Sequence, residues 1–275
     1  MKDDFKDEAQ GLKGASLIPA QRRALIIEFI RRQKTVSVQQ IMDQIGASQS
    51  TVRRDLQDLT ELGYLEKTRG GAMLRERART MFEPDREMAS HFSQPEKAMI
   101  GQRAAMIIEE GQSIIFDSSS TVLEVARVAA RRSIHFTAVT NDLGIAREMA
   151  DYPKVGVIMA GGSLRPSSLT LTGEPATTFL RMLSVDVAFL GVHSLAGLRA
   201  SETSLDVAGM KRAFIQAARK VVLVVDSRKF EVPAFCEVCN LEAFSEIITD
   251  EGISAEDRRQ IEERGVALTC VSAET

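Results

Sequence analysis

Apolar residues recur at helical spacing over one short stretch near the start of the chain. They lie three, four or seven positions apart, at Ile41, Ile45, Val52, Leu56, Leu59 and Leu62. This spacing predicts two helices that bury a common face. Gly46-Ala47-Ser48 supplies a tight turn between them, and Ser48 stands where the second helix needs an N-cap. The pattern therefore predicts a helix-turn-helix.

A further helix is predicted before this pair, and a hairpin after it. The helix covers residues 20–32 and ends where Thr35-Val36-Ser37 breaks the helical pattern. Two short extended runs later flank the basic, glycine-containing turn Lys67–Gly71, which predicts a β-hairpin. Three helices and a hairpin make a winged helix-turn-helix, with Lys67 and Arg69 near the tip of the wing, where they can touch backbone phosphates.

From Glu96 onwards, apolar runs of strand length alternate with helical stretches. The predicted strands are Ser113–Phe116, Phe136–Thr140, Val155–Ala160, Val185–Leu190, Val221–Val225, Ile247–Thr249 and Val266–Val271. The helices predicted between them are Thr121–Ala130, Leu143–Met149, Pro175–Met182, Asp206–Ala218 and Ala255–Arg264. Continuous apolar strands with intervening helices indicate an α/β fold with a mostly parallel sheet that helices cover on both faces.

These elements divide the chain of 275 residues into four parts. Residues 1–16 are polar and mixed in charge, and we expect a disordered tail there. Residues 17–75 form the winged helix-turn-helix domain, 76–95 a charged, proline-containing connector that is partly helical, and 96–275 the α/β domain. A small domain followed by one of ordinary size fits the length of the chain.

The composition is typical of a water-soluble globular protein, with 44% hydrophobic and 27% charged residues. No apolar run approaches the roughly 18 residues that a membrane helix needs. The first 16 residues lack the apolar segment of a signal peptide. We therefore expect a cytoplasmic protein with no membrane partner.

Charge is distributed unevenly between the two predicted domains. The segment 17–75 has ten Lys and Arg residues against six Asp and Glu residues, a net charge of +4. Because the whole chain carries −3, the remainder carries −7. A basic small domain joined to an acidic larger one fits phosphate contacts by the small domain.

The three cysteines do not predict a metal site. Cys236 and Cys239 have the spacing of a zinc or redox pair, and Cys270 stands apart. A closed zinc site needs about four ligands, and the sequence has neither a second C-x-x-C pair nor a neighbouring histidine pair. Small, buried apolar residues are the favoured interpretation of the cysteines.

The start of the second helix carries side chains suited to the DNA major groove. Hydroxyl and amide groups come first and two arginines follow, at Ser48, Gln49, Ser50, Thr51, Arg53 and Arg54. Arginine binds guanine or phosphate through two parallel hydrogen bonds. The alternative is an exposed helix face on which these arginines pair with Asp55 and Asp58. The capped start of the helix favours DNA binding.

Polar residues follow the predicted strands at the edge where open parallel sheets bind ligands. Four hydroxyl residues come after the first strand, in the run Asp117, Ser118, Ser119, Ser120 and Thr121. Hydroxyls and unpaired backbone N–H groups at a helix start suit an anion such as phosphate. The alternative is that they only cap the helix, but a cap needs one hydroxyl and not four.

Other residues near the strand ends give weaker signals. Gly161 and Gly162 could let the backbone approach a ligand, and a plain turn explains them equally well. Arg165 and Lys211 could neutralise a phosphate, although each alone reads as a surface charge. His193 follows the fourth strand, and a structural histidine is the favoured interpretation.

Several absences limit the chemistry. The sequence lacks G-x-G-x-x-G after the first strand, which argues against a dinucleotide, and it has no P-loop motif. The three histidines are scattered, and no Ser/His/Asp or metal-ligand spacing is present. We therefore predict no catalytic residues, no metal and no cofactor.

The ordered motifs resemble the DeoR/GlpR-type bacterial transcriptional regulators over nearly everything after Ala20. In the first domain they are Gln21–Arg23, Val36–Val38, Ser50–Leu56, Leu59, Gly63 and Arg69–Ala72. In the second they are Glu96-Lys97, Phe116–Thr121, Thr140-Asn141, Gly161-Gly162, Leu190-Gly191, Lys211-Arg212, Val225–Ser227 and Ile248–Asp250.

The resemblance implies a sensor domain similar in fold to ribose-5-phosphate isomerase and glucosamine-6-phosphate deaminase. It implies that this domain binds a phosphorylated sugar, with Asp117–Thr121 on the phosphate side and Asn141, Gly161, Gly162 and Lys211 lining the pocket. It also implies a repressor of carbohydrate-utilisation genes that binds double-stranded operator DNA as a homodimer or homotetramer.

One segment departs from the family pattern. After Leu190-Gly191 the family usually has an Asp-Gly-type pair and a Gly-Thr loop, and here the segment His193–Thr203 stands in their place. This segment faces the expected pocket, so an atypical ligand, or no ligand, is an alternative. A further alternative is a sugar-phosphate isomerase or deaminase with an attached DNA-binding domain, whose general base would come from Asp117, Asp226 or His193.

Overall fold

The computed structural model describes residues 17–75, 83, 86–166, 168–230 and 232–272. Among these, residues 17–75 and 86–92 form one compact unit, and Glu83 with residues 93–272 forms a second. The tail predicted at 1–16 lies outside the described residues, as do 76–82 and 84–85 of the predicted connector.

The first unit consists of four helices and three short strands. In chain order they are α1 (Pro19–Gln33), β1 (Thr35–Ser37), α2 (Val38–Ile45), α3 (Gln49–Glu61), β2 (Leu65–Thr68), β3 (Gly71–Leu74) and α4 (Arg86–His91). The strands form an antiparallel sheet in the order β1-β3-β2. The predicted winged helix-turn-helix is therefore confirmed.

Side-chain caps fix the two helices of the motif. Ser37 accepts a hydrogen bond from the Gln40 backbone N–H, and the Gln40 side chain accepts one from the Ser37 backbone in return. Gly46 ends α2 with φ +71°, a left-handed conformation that favours glycine. Ser48 caps α3 by accepting a hydrogen bond from Thr51 N–H at 3.3 Å, as the sequence predicts.

The segment Thr35–Ser37 is a strand and not only a helix break, which the sequence did not predict. Its residues pair with β3, where Val36 lies opposite Ala72 and Ser37 opposite Gly71. A Cβ atom at Gly71 would lie 1.9 Å from the carbonyl oxygen of Val36. Only glycine permits this approach, so the backbone of the wing is tied directly to the segment between α1 and α2.

The shared apolar face of the helix-turn-helix is largely as predicted. Ile41, Val52 and Leu59 are fully buried, and Leu56 is nearly so. The prediction for Leu62 is wrong, because this side chain is 50% exposed. It follows the last turn of α3 as its C-cap, where the helical face no longer continues.

An ion-pair cluster joins α1 to α3. Arg22 donates to both carboxylate oxygens of Asp55, one of them at 3.1 Å, and Asp55 is 1% exposed. Arg23 lies 3.5 Å from Asp55 and donates to Asp58 at 2.6 Å. Asp55 and Asp58 of α3 are therefore neutralised by the neighbouring helix.

Replacing Asp55 with Ala should lower the free energy of unfolding of the first unit by about 3 kcal/mol, because it leaves Arg22 in a largely buried place without a carboxylate. Urea unfolding followed by circular dichroism measures this change. Asp43→Ala, which removes an exposed carboxylate from α2, should change stability by less than about 0.5 kcal/mol. Equal effects of the two substitutions would contradict the assignment.

The second unit is built around one large sheet and the helices that cover it. Its helices are α5 (Gln94–Ala105), α6 (Ser120–Arg131), α7 (Leu143–Ala150), α8 (Glu174–Leu180), α9 (Leu205–Ala217) and α10 (Ala255–Glu263). The strands of the large sheet are β4 (Ser113–Phe116), β5 (Phe136–Thr140), β6 (Val155–Met159), β9 (Val185–Leu190), β12 (Ala218–Val224), β14 (Glu246–Asp250) and β15 (Ala267–Val271).

All neighbours in this sheet are parallel, in the order β15-β14-β12-β9-β4-β5-β6. Each of the seven predicted strands is present, and the predicted α/β class is confirmed. Successive strand residues alternate between two hydrophobic cores, one on each face of the sheet. On β4, Ile114 and Phe116 pack into one core, and Ile115 packs into the other.

Two small antiparallel sheets were not predicted from the sequence. One is the pair β7 (Ser163–Leu164) and β8 (Leu171–Thr172), and the other joins β10 (Ser194–Ala196), β11 (Arg199–Glu202) and β13 (Cys236–Asn240) in the order β10-β11-β13. Both lie between elements of the large sheet along the chain. Helix α5 was also missed, because its start falls in the charged stretch that the sequence analysis assigned to a connector.

The strand order contains one switch point, between β4 and β9. From β4 the chain adds β5 and β6 on one side, and it then returns to add β9, β12, β14 and β15 on the other. The connections that follow β4 and β9 therefore leave the sheet in opposite directions. In open α/β sheets, ligands bind outside the carboxyl ends of the strands at such a point.

Candidate functional site

The two arginines of α3 are exposed and make no ion pair or hydrogen bond within the described part of the chain. The alternative in which Arg53 and Arg54 pair with Asp55 and Asp58 therefore fails, because Arg22 and Arg23 take both carboxylates. Two guanidinium groups on the first turns of α3 are therefore left exposed to solvent.

The residues at the start of α3 are also exposed or half-buried. The Ser48 hydroxyl lies 3.0 Å from the Ser50 hydroxyl and 2.9 Å from that of Thr51, so the three form a local network around the cap. Gln49 is exposed and is the first residue of the helix. These side chains present hydroxyl and amide groups on the same end of α3 as the arginines.

The wing carries the other predicted basic residues. Lys67 lies on β2 and Arg69 in the turn between β2 and β3, and both are exposed. Gly70 completes this turn with φ +86°. Within the first unit, the helix-turn-helix and the wing thus both expose positive charge, which is the arrangement of a DNA-binding domain.

In the second unit, a buried ion pair occupies the switch point of the sheet. Lys211, on α9, donates to the Asp117 carboxylate and to the carbonyl oxygen of Gly191 at 2.7 Å, and its ammonium lies 3.4 Å from Glu202. Asp117 follows β4, Gly191 follows β9, and both Lys211 and Asp117 are nearly inaccessible to solvent. The pair therefore joins the ends of the two strands that flank the switch point.

The charged groups of this cluster differ in how far ion pairing offsets the cost of their burial. Burial lowers the pKa of Lys211, but the carboxylates of Asp117 and Glu202 outweigh this and raise it above its ordinary value. Burial raises the pKa of Glu202, and attraction by Lys211 offsets this only in part. One ammonium thus serves two buried carboxylates, and Glu202 is the one that is poorly compensated.

The loop after β4 packs tightly against the loop after β9. The Asp117 carboxylate accepts a hydrogen bond from Gly191 N–H at 3.1 Å. A Cβ atom at Gly191 would lie 2.3 Å from the Ser119 hydroxyl oxygen, so this approach requires glycine. Ser119 in turn caps α6 by accepting from Thr121 N–H at 3.2 Å and from Val122 N–H at 3.5 Å.

The other hydroxyls of this loop are not used by the cap. Ser118 and Ser120 are half-buried, Thr121 is buried, and none of the three hydroxyls makes a hydrogen bond within the described residues. Ser119 is thus the single capping residue that the alternative interpretation requires. Three further hydroxyls remain at the N-terminus of α6, where backbone N–H groups favour an anion.

Two buried acceptor oxygens lie at the same strand ends. Asn141 follows β5 and donates to the Leu171 carbonyl oxygen at 2.9 Å, while its own Oδ1 accepts no hydrogen bond within the described residues. The Oδ1 atom of Asp117 also lacks a donor in this part of the chain. A buried acceptor without a donor costs about 1–3 kcal/mol. Hydroxyl groups of a ligand are donors that would remove this cost.

The predicted glycines belong to the hairpin of β7 and β8. Gly161 and Gly162 have φ values of +79° and +106°, and a Cβ atom at Gly162 would lie 2.5 Å from the Thr172 carbonyl oxygen. Gly162 is therefore needed for the close approach of β8. This hairpin also contacts Asn141, whose carbonyl oxygen accepts from Leu171 N–H at 2.7 Å.

Arg165, which directly follows β7, is held by Glu83. Its guanidinium donates to both carboxylate oxygens, through Nη1 at 3.0 Å and Nη2 at 2.7 Å. The Thr203 hydroxyl donates to the same carboxylate at 3.0 Å. No feature of the sequence indicated that a residue of the predicted connector would reach this site.

The segment His193–Thr203 forms a hairpin and not a loop. Its two strands, β10 and β11, place Glu202 beside Lys211, while Arg199 is exposed and contacts Glu237 of β13 at 3.3 Å. His193 N–H donates to Glu202 at 3.1 Å. The hairpin therefore contributes one end, Glu202 and Thr203, to the strand-end site and directs Arg199 away from it.

Other candidate groups give no sign of acid–base or metal chemistry. Burial raises the pKa of Asp226, but Arg228, Lys229 and Lys97 outweigh it and lower the pKa well below its usual range, which makes the carboxylate a weak base. No cluster of three His, Cys, Asp or Glu side chains within the described residues is arranged to hold a metal. Burial also raises the pKa of all three cysteine thiols, and that of Cys239 to about 12.

In the part of the chain that the structure describes, no helix is both long enough and apolar enough to cross a membrane.

These observations define a class: a winged helix-turn-helix DNA-binding protein with an α/β sensor unit. Family comparisons agree. Residues 22–78 match the DeoR-like helix-turn-helix domain, and residues 93–251 match the DeoR C terminal sensor domain. The chain belongs to the DeoR family of transcriptional regulators, which bind DNA and are not enzymes.

Relatives are similar over almost their whole length. An uncharacterized regulator of Escherichia coli K12, YgbI, is 32% identical, over 92% of this chain and 98% of its own. The regulator GlpR of Haloferax volcanii is also 32% identical over the same shares. A putative aga operon transcriptional repressor of Escherichia coli O157:H7 is 30% identical, over 92% of this chain and 94% of its own.

Among solved structures, ribose 5-phosphate isomerase A of Methanocaldococcus jannaschii aligns over 50% of this chain and 55% of its own, at 14% identity and a TM-score of 0.39. A superposition this loose carries no argument about activity.

Replacing Glu202 with Gln should raise the free energy of unfolding at pH 8, and the gain should shrink towards pH 5. A carboxyl group whose pKa is higher in the folded than in the unfolded state costs stability once the pH exceeds its unfolded pKa. This cost grows until the pH passes the folded pKa, and a glutamine does not carry it. Urea unfolding at both pH values measures the difference.

Asp117→Asn is the matched change on the other side of Lys211. It should lower stability by about 3 kcal/mol, because Lys211 loses its main counter-charge. If Glu202→Gln loses as much stability at pH 8 as Asp117→Asn does, the two carboxylates do not have unequal roles.

Proposed function

We propose that this protein is a repressor of carbohydrate-metabolism genes whose operator binding is controlled by a phosphorylated sugar. The observation that carries the DNA-binding half is the exposure of Arg53 and Arg54, since the acidic residues beside them are already paired within the fold. The hydroxyl-rich start of α6 at the switch point supports the effector half. The names of relatives, among them the aga operon repressor, support the link to sugar metabolism.

The first turns of α3 read the operator. Ser48, Gln49, Ser50 and Thr51 lie at the entry of the helix into the major groove, and Arg53 and Arg54 contact base edges or phosphates. Lys67 and Arg69 of the wing contact the DNA backbone. Two copies of the chain, in a homodimer or homotetramer, read two half-sites, and the protein acts in the cytoplasm.

The strand-end site of the second unit binds the effector. The Asp117–Thr121 loop takes the phosphate at the N-terminus of α6, where hydroxyls and backbone N–H groups donate. Asn141 and Asp117 accept hydrogen bonds from the sugar hydroxyls through the oxygens that lack a donor in the described residues. Gly161, Gly162 and Lys211 shape the pocket, Gly162 by its close approach to β8 and Lys211 by holding the loops together.

Two alternatives have less support. An isomerase or deaminase needs a base near the sugar, and its candidates are Asp117, Asp226 and His193. The Asp117 carboxylate is bound to Lys211 and the pKa of Asp226 is depressed, so only His193 is left for that role. A sensor that no longer binds a ligand does not explain three hydroxyls at the start of α6 that the helix cap does not use. The hairpin His193–Thr203 still brings Glu202 and Thr203 to the site, so the effector chemistry differs there from the family pattern.

Replacing Arg53 with Ala should weaken operator binding by about 1–3 kcal/mol, because a pair of hydrogen bonds to a base or phosphate is lost. Gel-shift titration on a duplex selected by the wild-type protein measures the affinity. If Arg53 contacts a base, the variant should discriminate less between operator sequences. If it contacts a phosphate, the slope of log binding constant against log salt concentration should fall by about one.

Arg219→Ala is the control, because it removes an exposed arginine of the second unit, whose side chain is 76% exposed. It should leave operator affinity unchanged. If the Arg53→Ala protein binds the operator as tightly as the wild type does, the assignment of Arg53 to the major groove is wrong.

Replacing Ser118 or Ser120 with Ala should weaken effector binding and leave the melting temperature of the unliganded protein unchanged, because neither hydroxyl bonds to the described protein. Ser119→Ala should instead lower stability by about 1 kcal/mol, through loss of the cap. Thermal-shift screening with pentose and hexose phosphates measures both effects. A ligand at about 100 times its dissociation constant adds about 2.7 kcal/mol to the wild type.

The matching unphosphorylated sugars serve as controls and should give no shift. If Ser118→Ala and Ser120→Ala respond to sugar phosphates as the wild type does, the hydroxyls do not bind the phosphate. If no sugar phosphate shifts the wild type, the effector half of the proposal fails while the DNA-binding half stands.

A further inference from the structure

In the second unit, the carboxylate of Glu83 is bound by donors of the kind that bind an anionic ligand. Arg165 meets both of its oxygens with two parallel N–H donors, the geometry that guanidinium groups use for carboxylates and phosphates. The Thr203 hydroxyl adds a third donor at 3.0 Å. Arg165 and Thr203 come from two different elements of the strand-end site, the end of β7 and the end of β11.

The surroundings stabilise negative charge at this point. Burial raises the pKa of Glu83, but the hydrogen bonds from Arg165 and Thr203 outweigh it, with His193 adding attraction, so the pKa lies below its ordinary value. The guanidinium is 29% and the Glu83 carboxylate 40% exposed, so both can be reached from solvent. The Glu83 side chain is therefore bound in its ionised form, at a place that an anion from solution can reach.

This anion site borders the proposed effector pocket. Thr203 directly follows Glu202, which contacts Lys211 at 3.4 Å, and Lys211 holds Asp117. Arg165 begins the turn of the hairpin whose strand β8 is bonded to Asn141. The carboxylates of Glu202 and Asp206 also attract Arg165, and they would repel an incoming anion. Binding of the anion therefore depends on its direct hydrogen bonds to the guanidinium.

We propose that Arg165 and Thr203 form a second anion subsite of the effector pocket, and that Glu83 is an internal competitor for it. This rests on the proposed effector site and adds to it a second charged contact outside the Asp117–Thr121 loop. The subsite takes a phosphate or another oxyanion, which replaces the Glu83 carboxylate bond for bond.

An internal competitor sets the apparent affinity. If Glu83 occupies the subsite for about nine-tenths of the time, an external anion binds about tenfold more weakly than to the open subsite. A tenfold change corresponds to about 1.4 kcal/mol. Glu83 would then set the effector concentration at which the protein responds.

The position of Glu83 in the chain gives this competition a consequence for DNA binding. Only two residues separate it from α4, which packs against α1 in the first unit and buries Met88. An anion that replaces Glu83 releases this carboxylate from Arg165 and Thr203. If this release changes operator affinity, linkage requires the operator to change anion affinity by the same factor.

The test is calorimetric titration of inorganic phosphate, at constant ionic strength, into the full-length protein. Glu83→Gln, which weakens the internal competitor, should bind phosphate about tenfold more tightly than the wild type. Glu237→Gln is the matched control, because it takes a glutamate from an exposed pair with Arg199 elsewhere in the same unit. It should bind phosphate as the wild type does.

A second background shows whether the gain acts through the subsite. In Arg165→Gln protein, adding Glu83→Gln should change phosphate affinity no further. The proposal is overturned if Glu83→Gln binds phosphate no more tightly than the wild type, if neither binds it, or if the gain persists without Arg165. Circular dichroism melts show that each variant is folded.

Operator titrations test the link to DNA binding. Saturating phosphate should change the operator affinity of the wild type and have a smaller effect on Glu83→Gln, in which the contact with Arg165 is already weakened. Identical responses of the two proteins, including no response, overturn the link. These outcomes are independent of the Arg53 and Ser118 experiments, so failure of the subsite leaves the proposed function to be judged by those.

Discussion

The buried pair of Lys211 and Asp117 is the interaction on which the sensor unit depends. Opposite charges remain buried at a tolerable cost when they are paired and hydrogen-bonded, and the Lys211 ammonium has Asp117, Gly191 and Glu202 around it. These partners come from the ends of β4, β9 and β11. The same side chain that satisfies the charge therefore fixes the loops at the switch point of the sheet. A ligand site built on those loops inherits its shape from the pair.

A comparable division of charges explains the DNA-binding unit. Helix α3 carries both acidic and basic residues, and on sequence alone they could neutralise one another along the helix. The neighbouring α1 supplies Arg22 and Arg23, which bind Asp55 and Asp58. The acidic residues thus stabilise the packing of α1 on α3, and the positive charge of Arg53 and Arg54 stays exposed. Under the proposed function, stability and DNA recognition use different residues of one helix.

The strands of the large sheet could be predicted from their continuous apolar runs, and α1, α2 and α3 from the helical spacing of their apolar residues. The hairpin pair β7–β8 could not, since two-residue strands carry no periodicity, and β10, β11 and β13 depend on pairing across distant parts of the chain. Gly71, Gly162 and Gly191 are needed for close contacts that only the folded chain creates. Taken alone in the sequence, Lys211 reads as a surface charge, and its burial between two carboxylates follows only from the fold.

The strand-end site also has a distribution of donors and acceptors that limits what it can bind. The hydroxyls at the start of α6 and the guanidinium of Arg165 donate, and they belong to separate loops of a site that also holds the unsatisfied acceptors of Asn141 and Asp117. A ligand that matches this set carries negative charge together with hydroxyl groups. A purely apolar molecule would leave the buried acceptors unsatisfied, at about 1–3 kcal/mol for each. Under the proposed function, this arrangement favours a polyhydroxylated anion, and the Glu83 carboxylate occupies the place of one of its charges.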